Sequence, residues 1–376
     1  MTAESVLTLK GLRALEYSLF EAAQKATDVL KPDSLGVFVR KPLVDEDCPE
    51  ASDVDLISIW ETAEEWPERM TVDCVGGRKF VDVLWIPISN IFDTVEAAGY
   101  KTLPHLLLEY EAIWVKSETV KSIIDNIKLN TFDVDVWARR IRHQIGFGEA
   151  AFQEAQKNLD FPPGALFFLQ TAHAYYAAAL ADCLKWSTMS LQTRPVTKLR
   201  RMGAEIGVDL ERVLVADLHL DVDPTGSLLC LRRVYDHVLA RCAGCQLYGT
   251  SMRTRGHFAY SLSPVELEFR MSVAKALIEH GDYANANFYL RFWAYSLARC
   301  PIVLEEARQG RKPSFYVPFE PFKGSVEASC PEILDDLETI LGEKLTVAEA
   351  EDAIKGTARF ESLVVEAIQS RGKILV

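Results

Sequence analysis

The chain has 376 residues, 49% of them apolar and 25% charged, with 54 Asp and Glu against 41 Lys and Arg and a net charge of −13. This is the composition of a folded chain of two or three domains, and it excludes a disordered one. The acidity argues against a broad grip on nucleic acid or anionic membrane, because neutralising phosphates needs clustered cations. Only a local basic pocket for one small anion remains compatible with it. Eight Cys in this length are too sparse for a disulfide scaffold, so a reducing cytoplasm is the expected setting.

Residues 1–26 mix charge and apolar residues at helical spacing, unlike a signal peptide. Leu9, Leu12, Leu15, Leu19, Ala22 and Ala23 predict a helix over 7–30, stopped at Lys31-Pro32. Short β-rich runs follow at 35–39 and 54–60, separated by an acidic loop. Runs at 70–75 and 79–86 flank Gly76-Gly77, which predicts a hairpin with a primed turn. Helices are expected at 89–98 and 118–127, with a further strand at 110–116. After about Asp133 the pattern is helical throughout: 133–159, 164–186, 211–220, 227–248, 264–280, 283–310, 331–341 and 346–370. Prolines 162, 163, 195, 224 and 264 fall between these segments. The most apolar of them, Gly164–Leu184, is interrupted by Gln170, Thr171, His173 and Asp182, and reads as a buried bundle helix.

The informative stretch is Ser52-Asp-Val-Asp-Leu-Ile-Ser-Ile-Trp60. Alternate residues of a strand share a face, so Asp53 and Asp55 stand together while Val54 and Leu56 face the other way. No Lys or Arg lies between Asp45 and Glu68 to neutralise them. Paired carboxylates call for a cation between them, and Mg²⁺ is the usual hard ion for oxygen ligands. Phe80-Val-Asp82-Val-Leu-Trp85 carries a third carboxylate on a predicted strand. Asp-Val-Asp also occurs at 133–135 and 221–223, where the contexts are a helix start and a turn.

Helix, strand, loop, Ser-Asp-Val-Asp-Leu and a later Val-Asp-Val strand resemble the nucleotidyltransferases of the DNA polymerase beta superfamily. The match is closest to the small bacterial and aminoglycoside-modifying members. It covers roughly residues 8–127 and implies an α+β fold: a mixed-sheet nucleotidyltransferase-like domain over 1–130, then a helical bundle over 131–376, with a sub-boundary near 225 or 262. The resemblance also implies Mg²⁺-dependent transfer of a nucleoside monophosphate from a triphosphate such as ATP to a hydroxyl of a small-molecule or protein acceptor. By position Asp53, Asp55 and Asp82 would be the catalytic ligands of two Mg²⁺ ions, and Ser52 a nucleotide contact. The family's Gly-Ser before the first Asp is replaced here by Arg40-Lys41-Pro42. Proline offers no amide to a phosphate, so Arg40 and Lys41 are the candidates to bind it by charge. The alternative is a degenerate member that binds nucleotide or a partner without turnover. A polynucleotide acceptor suits neither half of the chain: residues 1–145 alone hold 16 Lys and Arg against 25 Asp and Glu.

Other motifs read structurally. Cys242-Ala-Gly-Cys245 has the spacing of a zinc or redox pair, but no second Cys pair completes it, and buried thiols are expected. The basic clusters at 139–143, 194–201 and 232–233 read as solvated helix faces, the second also as a possible border of the triphosphate cleft. The aromatic residues of 283–299 read as core packing.

Overall fold

The computed structural model of the chain describes residues 9–41, 52–61, 66–99, 108–186, 194–245, 247, 250–313, 320–342 and 345–371. The fold is α+β. Helix α1 (Leu9–Leu30) leads into β1 (Gly36–Arg40), β2 (Val54–Trp60), β3 (Trp66–Cys74), β4 (Gly77–Pro87), α2 (Thr94–Gly99), β5 (Tyr110–Val115) and α3 (Glu118–Asn130). Helices α4 (Val134–Lys157), α5 (Pro162–Cys183), α6 (Pro195–Ile206), α7 (Leu210–Leu218) and α8 (Thr225–Cys242) follow. Then come α9 (Met252–Ser261), α10 (Pro264–Glu279), α11 (Tyr283–Arg308), α12 (Phe322–Ser329), α13 (Leu334–Gly342) and α14 (Val347–Arg371). None of the described helices is long and apolar enough to cross a membrane.

Helices α6, α9 and α12 are absent from the periodicity reading, although α6 buries Val196, Leu199 and Met202 at helical spacing. Pro162, Pro195 and Pro264, read as breakers, each open a helix, where the missing amide hydrogen is not needed. The expected 89–98 helix divides into a 3-10 turn at Ile88–Asn90 and the short α2.

The five strands are ordered β3-β4-β2-β1-β5, and β2–β4 is the parallel pair among antiparallel neighbours. Strand alternation sends Val37, Val39, Val54, Leu56, Val81 and Val83 to one face. There Leu19, Ala22, Ala23, Ala26 and Leu30 of α1 bury them. Phe38, Ile57, Ile59 and Ile86 go to the other face, against Ala97, Ala98, Val120, Ile124 and Ile127 of α2 and α3. Asp53, Asp55 and Asp82 share the parity of this second face and stand where its apolar row ends. A third and larger core joins helices α4 to α14.

The β3–β4 hairpin differs from the expected primed turn. Cys74 pairs with Gly77, and the left-handed residue is Gly77 itself at φ +95, the first residue of β4. A side chain there would strain the backbone. Helix α1 holds the hairpin: Lys25 Nζ donates to the Asp73 carbonyl at 2.8 Å, and the Val75 amide donates to Glu21 at 3.1 Å.

Candidate active site

Sheet register aligns the charged residues. Asp82 on β4 is opposite Asp55 on β2 in the parallel pair, and opposite Arg69 on β3 in the antiparallel one. Arg40 on β1 completes the row: its Nη1 donates to Asp55 Oδ2 at 3.0 Å and its Nε to Glu109 Oε2 at 2.7 Å. Across four strands the sequence of charges is plus, minus, minus, plus. The like-charged neighbours in the row are Asp82 and Asp55.

Arg69 is the hub. Its side chain is only 2% exposed. Nη1 donates to Asp53 Oδ2 at 2.6 Å, Nη2 lies 3.3 Å from Asp82 Oδ2, and Nε faces the fully buried Glu266 of α10. The guanidinium also stacks 3.8 Å from the centroid of the Phe269 ring. Arg69 and Arg40 therefore correct the expectation that Asp53 and Asp55 lack a neighbouring cation. Arg69 stands one residue beyond the Asp45–Glu68 stretch that holds no Lys or Arg.

The helices reach the same place. Tyr260 of α9 donates to Asp82 at 3.3 Å and accepts from Arg69 Nη2 at 3.1 Å. Arg270 of α10 pairs with Glu266, donates to Tyr289 Oη at 3.0 Å, and packs 5.0 Å from the centre of Trp293. The site thus lies between the sheet edge and the start of α10.

Carboxylates this close, and partly withdrawn from water, hold protons more tightly than usual. Burial, with help from the Asp55 charge, pushes Asp53 up to about 6 against the pull of Arg69. Burial pushes Asp82 up to about 7, with Glu266, Asp55 and Asp53 adding to it and Arg69 opposing. Arg40, between Asp55 and Glu109, is held more firmly protonated than an ordinary arginine. Among the described residues, no three His, Cys, Asp or Glu side chains converge closely enough to hold a metal as they stand. The carboxylates instead turn to guanidinium groups.

The other expected site residues separate. Ser52 lies immediately before Asp53, ahead of β2. Lys41 has the opposite parity to Arg40, and its ammonium sits 5.1 Å from the Phe20 ring on the α1 face. The two cations of Arg40-Lys41 therefore do not act on one ligand in this arrangement. Pro42 and the acidic residues 45–50 lie outside the described residues. The Arg194–Arg201 cluster is on α6, away from the row. Helix α10 runs from Glu266 in the row to Glu279 near that cluster, about 20 Å at 1.5 Å per residue.

Several structural readings hold. Asp133 caps α4 by accepting from the amides of Asp135 and Val136. Asp223 accepts from Thr225 at the turn before α8. Cys242 is buried, which pushes its thiol up to about 12, and Cys245 is half-buried. Arg232 and Arg233 pair with Asp236 and Asp336 on exposed faces. Arg140 is the correction: it is fully buried, not solvated.

Sequence reasoning missed Arg69, Glu109, Tyr260, Glu266 and Arg270. For Arg69 the hairpin is only a partial signal: a turn centred on Gly76-Gly77 would put Thr71 opposite Asp82, and the observed closure of Cys74 on Gly77 shifts the pairing by two residues to Arg69. For the others no local signal exists. Searches against protein-family models and curated proteins find no match to the chain.

Proposed function

We propose that the carboxylate row is the active site of a Mg²⁺-dependent nucleotidyltransferase, acting from a nucleoside triphosphate onto a hydroxyl of a small-molecule or protein acceptor. The observation that carries this reading is the in-register pairing of Asp55 with Asp82, with Asp53 on the same face. Like charges directly opposite one another destabilise a sheet unless a cation relieves them. Five carboxylates (Asp53, Asp55, Asp82, Glu109 and Glu266) meet three guanidinium groups (Arg40, Arg69 and Arg270). The excess of two negative charges equals one divalent ion, and an all-oxygen donor set suits a hard one. Asp53, Asp55 and Asp82 are the residues that would hold it.

Bound there, Mg²⁺ would neutralise phosphate oxygens and ease deprotonation of the acceptor hydroxyl. The acceptor oxygen attacks the α-phosphorus and pyrophosphate leaves. Asp82, sharing the ion, would help the acceptor hydroxyl lose its proton, which metal coordination makes easier. Arg69 would release Asp53 and Asp82 to the ion while keeping Glu266 and the Phe269 face. Acidic surroundings favour a neutral or cationic acceptor entering where α9 and α10 meet the sheet.

A second reading has its own support. Arg69 is buried and bridges Asp53 and Asp82, as a built-in substitute for a metal would, and Arg40-Lys41-Pro42 stands in place of Gly-Ser. A protein of that kind binds nucleotide or a partner without turnover. The test is incubation with α-phosphate-labelled triphosphates, Mg²⁺ and a cell metabolite extract, alongside calorimetric triphosphate titration. Labelled product that disappears in the Asp53→Asn, Asp55→Asn double variant supports transfer. Triphosphate binding that needs no Mg²⁺, gives no product and is lost in Arg40→Gln supports the second reading, and no triphosphate binding at all refutes both as nucleotide sites.

A further inference from the structure

The Arg194–Arg201 cluster is not spread over a convex helix face. A cleft of about 470 Å³ opens between the start of α6 and the turn joining α10 to α11. Arg194, Arg200, Arg201 and His280 line it, with Asp282 as the carboxylate and Gly281 at the turn. A volume of this order accommodates a nucleotide-sized ligand.

The walls are fixed from behind. Arg194, with 14% of its side chain exposed, donates from Nη2 to Asp282 Oδ2 at 2.9 Å. Asp282 is itself committed: it caps α11 and accepts from Asn285 Nδ2 at 2.9 Å on both oxygens. Asn285 in turn accepts from the Val196 amide at 3.0 Å, tying α6 to α11. Arg200 is held by Glu211 of α7. Gly281 takes φ +71, and a Cβ placed on it would meet nothing within 4 Å, so the cleft is open above the backbone there.

Three guanidinium groups, against the carboxylates of Asp282 in the lining and Glu211 behind Arg200, leave a net positive concavity beside His280 on a chain whose net charge is −13. An anion repelled elsewhere on this surface is attracted here. Guanidinium forks match phosphate oxygens in pairs, and several of them on one wall favour a multiply charged group over a single carboxylate. We propose that this cleft is a binding site for a phosphorylated small molecule carrying a diphosphate or equivalent charge, separate from the carboxylate row. The length of α10 keeps the two about 20 Å apart. Binding here therefore needs neither a divalent ion nor Asp53 and Asp55.

The test is calorimetric titration of the full chain with inorganic pyrophosphate and, in parallel, ADP, both in EDTA. Wild type should bind. Arg201→Gln should weaken binding about tenfold and Arg200→Gln, Arg201→Gln about a hundredfold, the usual range for lost charge-assisted hydrogen bonds. Arg201→Lys should retain part of the affinity, and the Asp53→Asn, Asp55→Asn protein all of it. Equal affinity for the two probes assigns the cleft to the diphosphate alone; tighter ADP assigns it to a nucleotide. Absence of binding at millimolar probe overturns the proposal. So does binding indifferent to Arg200 and Arg201, or binding lost with Asp53 and Asp55.

Discussion

Two ionic groups, one among the helices and one on the sheet, behave oppositely. In the helical region Arg140 meets Asp182, both fully buried, with Nε and Nη2 on the carboxylate at 3.0 and 2.6 Å. Arg140 Nη1 takes the carbonyls of Ala98 and Thr131 at 2.8 and 2.9 Å. Charge balances charge, and the pair locks α2 and the end of α3 to α4 and α5. In the carboxylate row, acids outnumber bases and two acids face each other. The first is a closed structural device, whereas the second carries the surplus of negative charge on which the proposed metal site rests. Burial alone does not tell a scaffold from a site; the balance of charge does.

The largest effect should come from opening the closed pair. Asp182→Ala leaves Arg140 buried without its counter-ion, and urea unfolding should show a loss of about 3–5 kcal/mol. A loss below 1 kcal/mol would mean that water or a neighbour replaces the carboxylate, and the contrast would fail.

Next comes pH. His173 on α5 is buried against Phe360, its Nδ1 at 2.9 Å from the Leu169 carbonyl, and burial lowers its pKa to about 4. Unfolded, the same imidazole titrates near 6.5. Between those values the unfolded chain binds a proton that the folded one refuses, so stability falls as pH falls. From pH 7 to pH 5 the histidine should account for about 2 kcal/mol, measured as the difference between wild type and His173→Leu. Parallel pH curves for the two proteins would contradict the assignment.

Packing gives a smaller, signed pair. A Cβ at Gly148 on α4 would lie 2.5 Å from the Tyr176 ring, whereas at Gly146 it would meet nothing within 4 Å. Gly146→Ala should stabilise by about 1 kcal/mol through helix propensity. Gly148→Ala carries the same gain but should lose about 1 kcal/mol net, because overpacking costs about 1–3 kcal/mol. Equal signs in thermal denaturation would show that this helix pair is loosely packed.

The smallest effect on stability belongs to the row itself. Asp82→Asn removes one of two facing carboxylates, so melting temperature should hold or rise while metal-dependent triphosphate binding is lost. A marked fall in melting temperature would place the row with Arg140–Asp182, as an ion network serving the fold.

The chain's own order of residues determines most of the local structure. The spacing of Leu15, Leu19, Ala22 and Ala26 makes α1 and its buried face, because 3.6 residues per turn align them. Period-two alternation puts Asp53 and Asp55 opposite Val54 and Leu56, as expected from the strand alone. Gly76-Gly77 marks the hairpin, but the loop forms on Val75-Gly76 with Cys74 closing on Gly77, and that two-residue shift in pairing puts Arg69 rather than Thr71 beside Asp82. Tertiary structure decided what no local rule contains. The parallel pairing of β2 with β4 brings Asp55 against Asp82, and a parallel partner is not fixed by any turn between them. Glu266 reaches Arg69 from nearly 200 residues away because α10 packs its first turn on the sheet edge. Arg140 shares a basic run with Arg139 and Arg142, yet helix rotation turns it alone among the three into the core, where Asp182 makes its burial tolerable. Neighbours along a chain share a composition, but charge acts through space, so only the assembled fold could say which cation meets which acid.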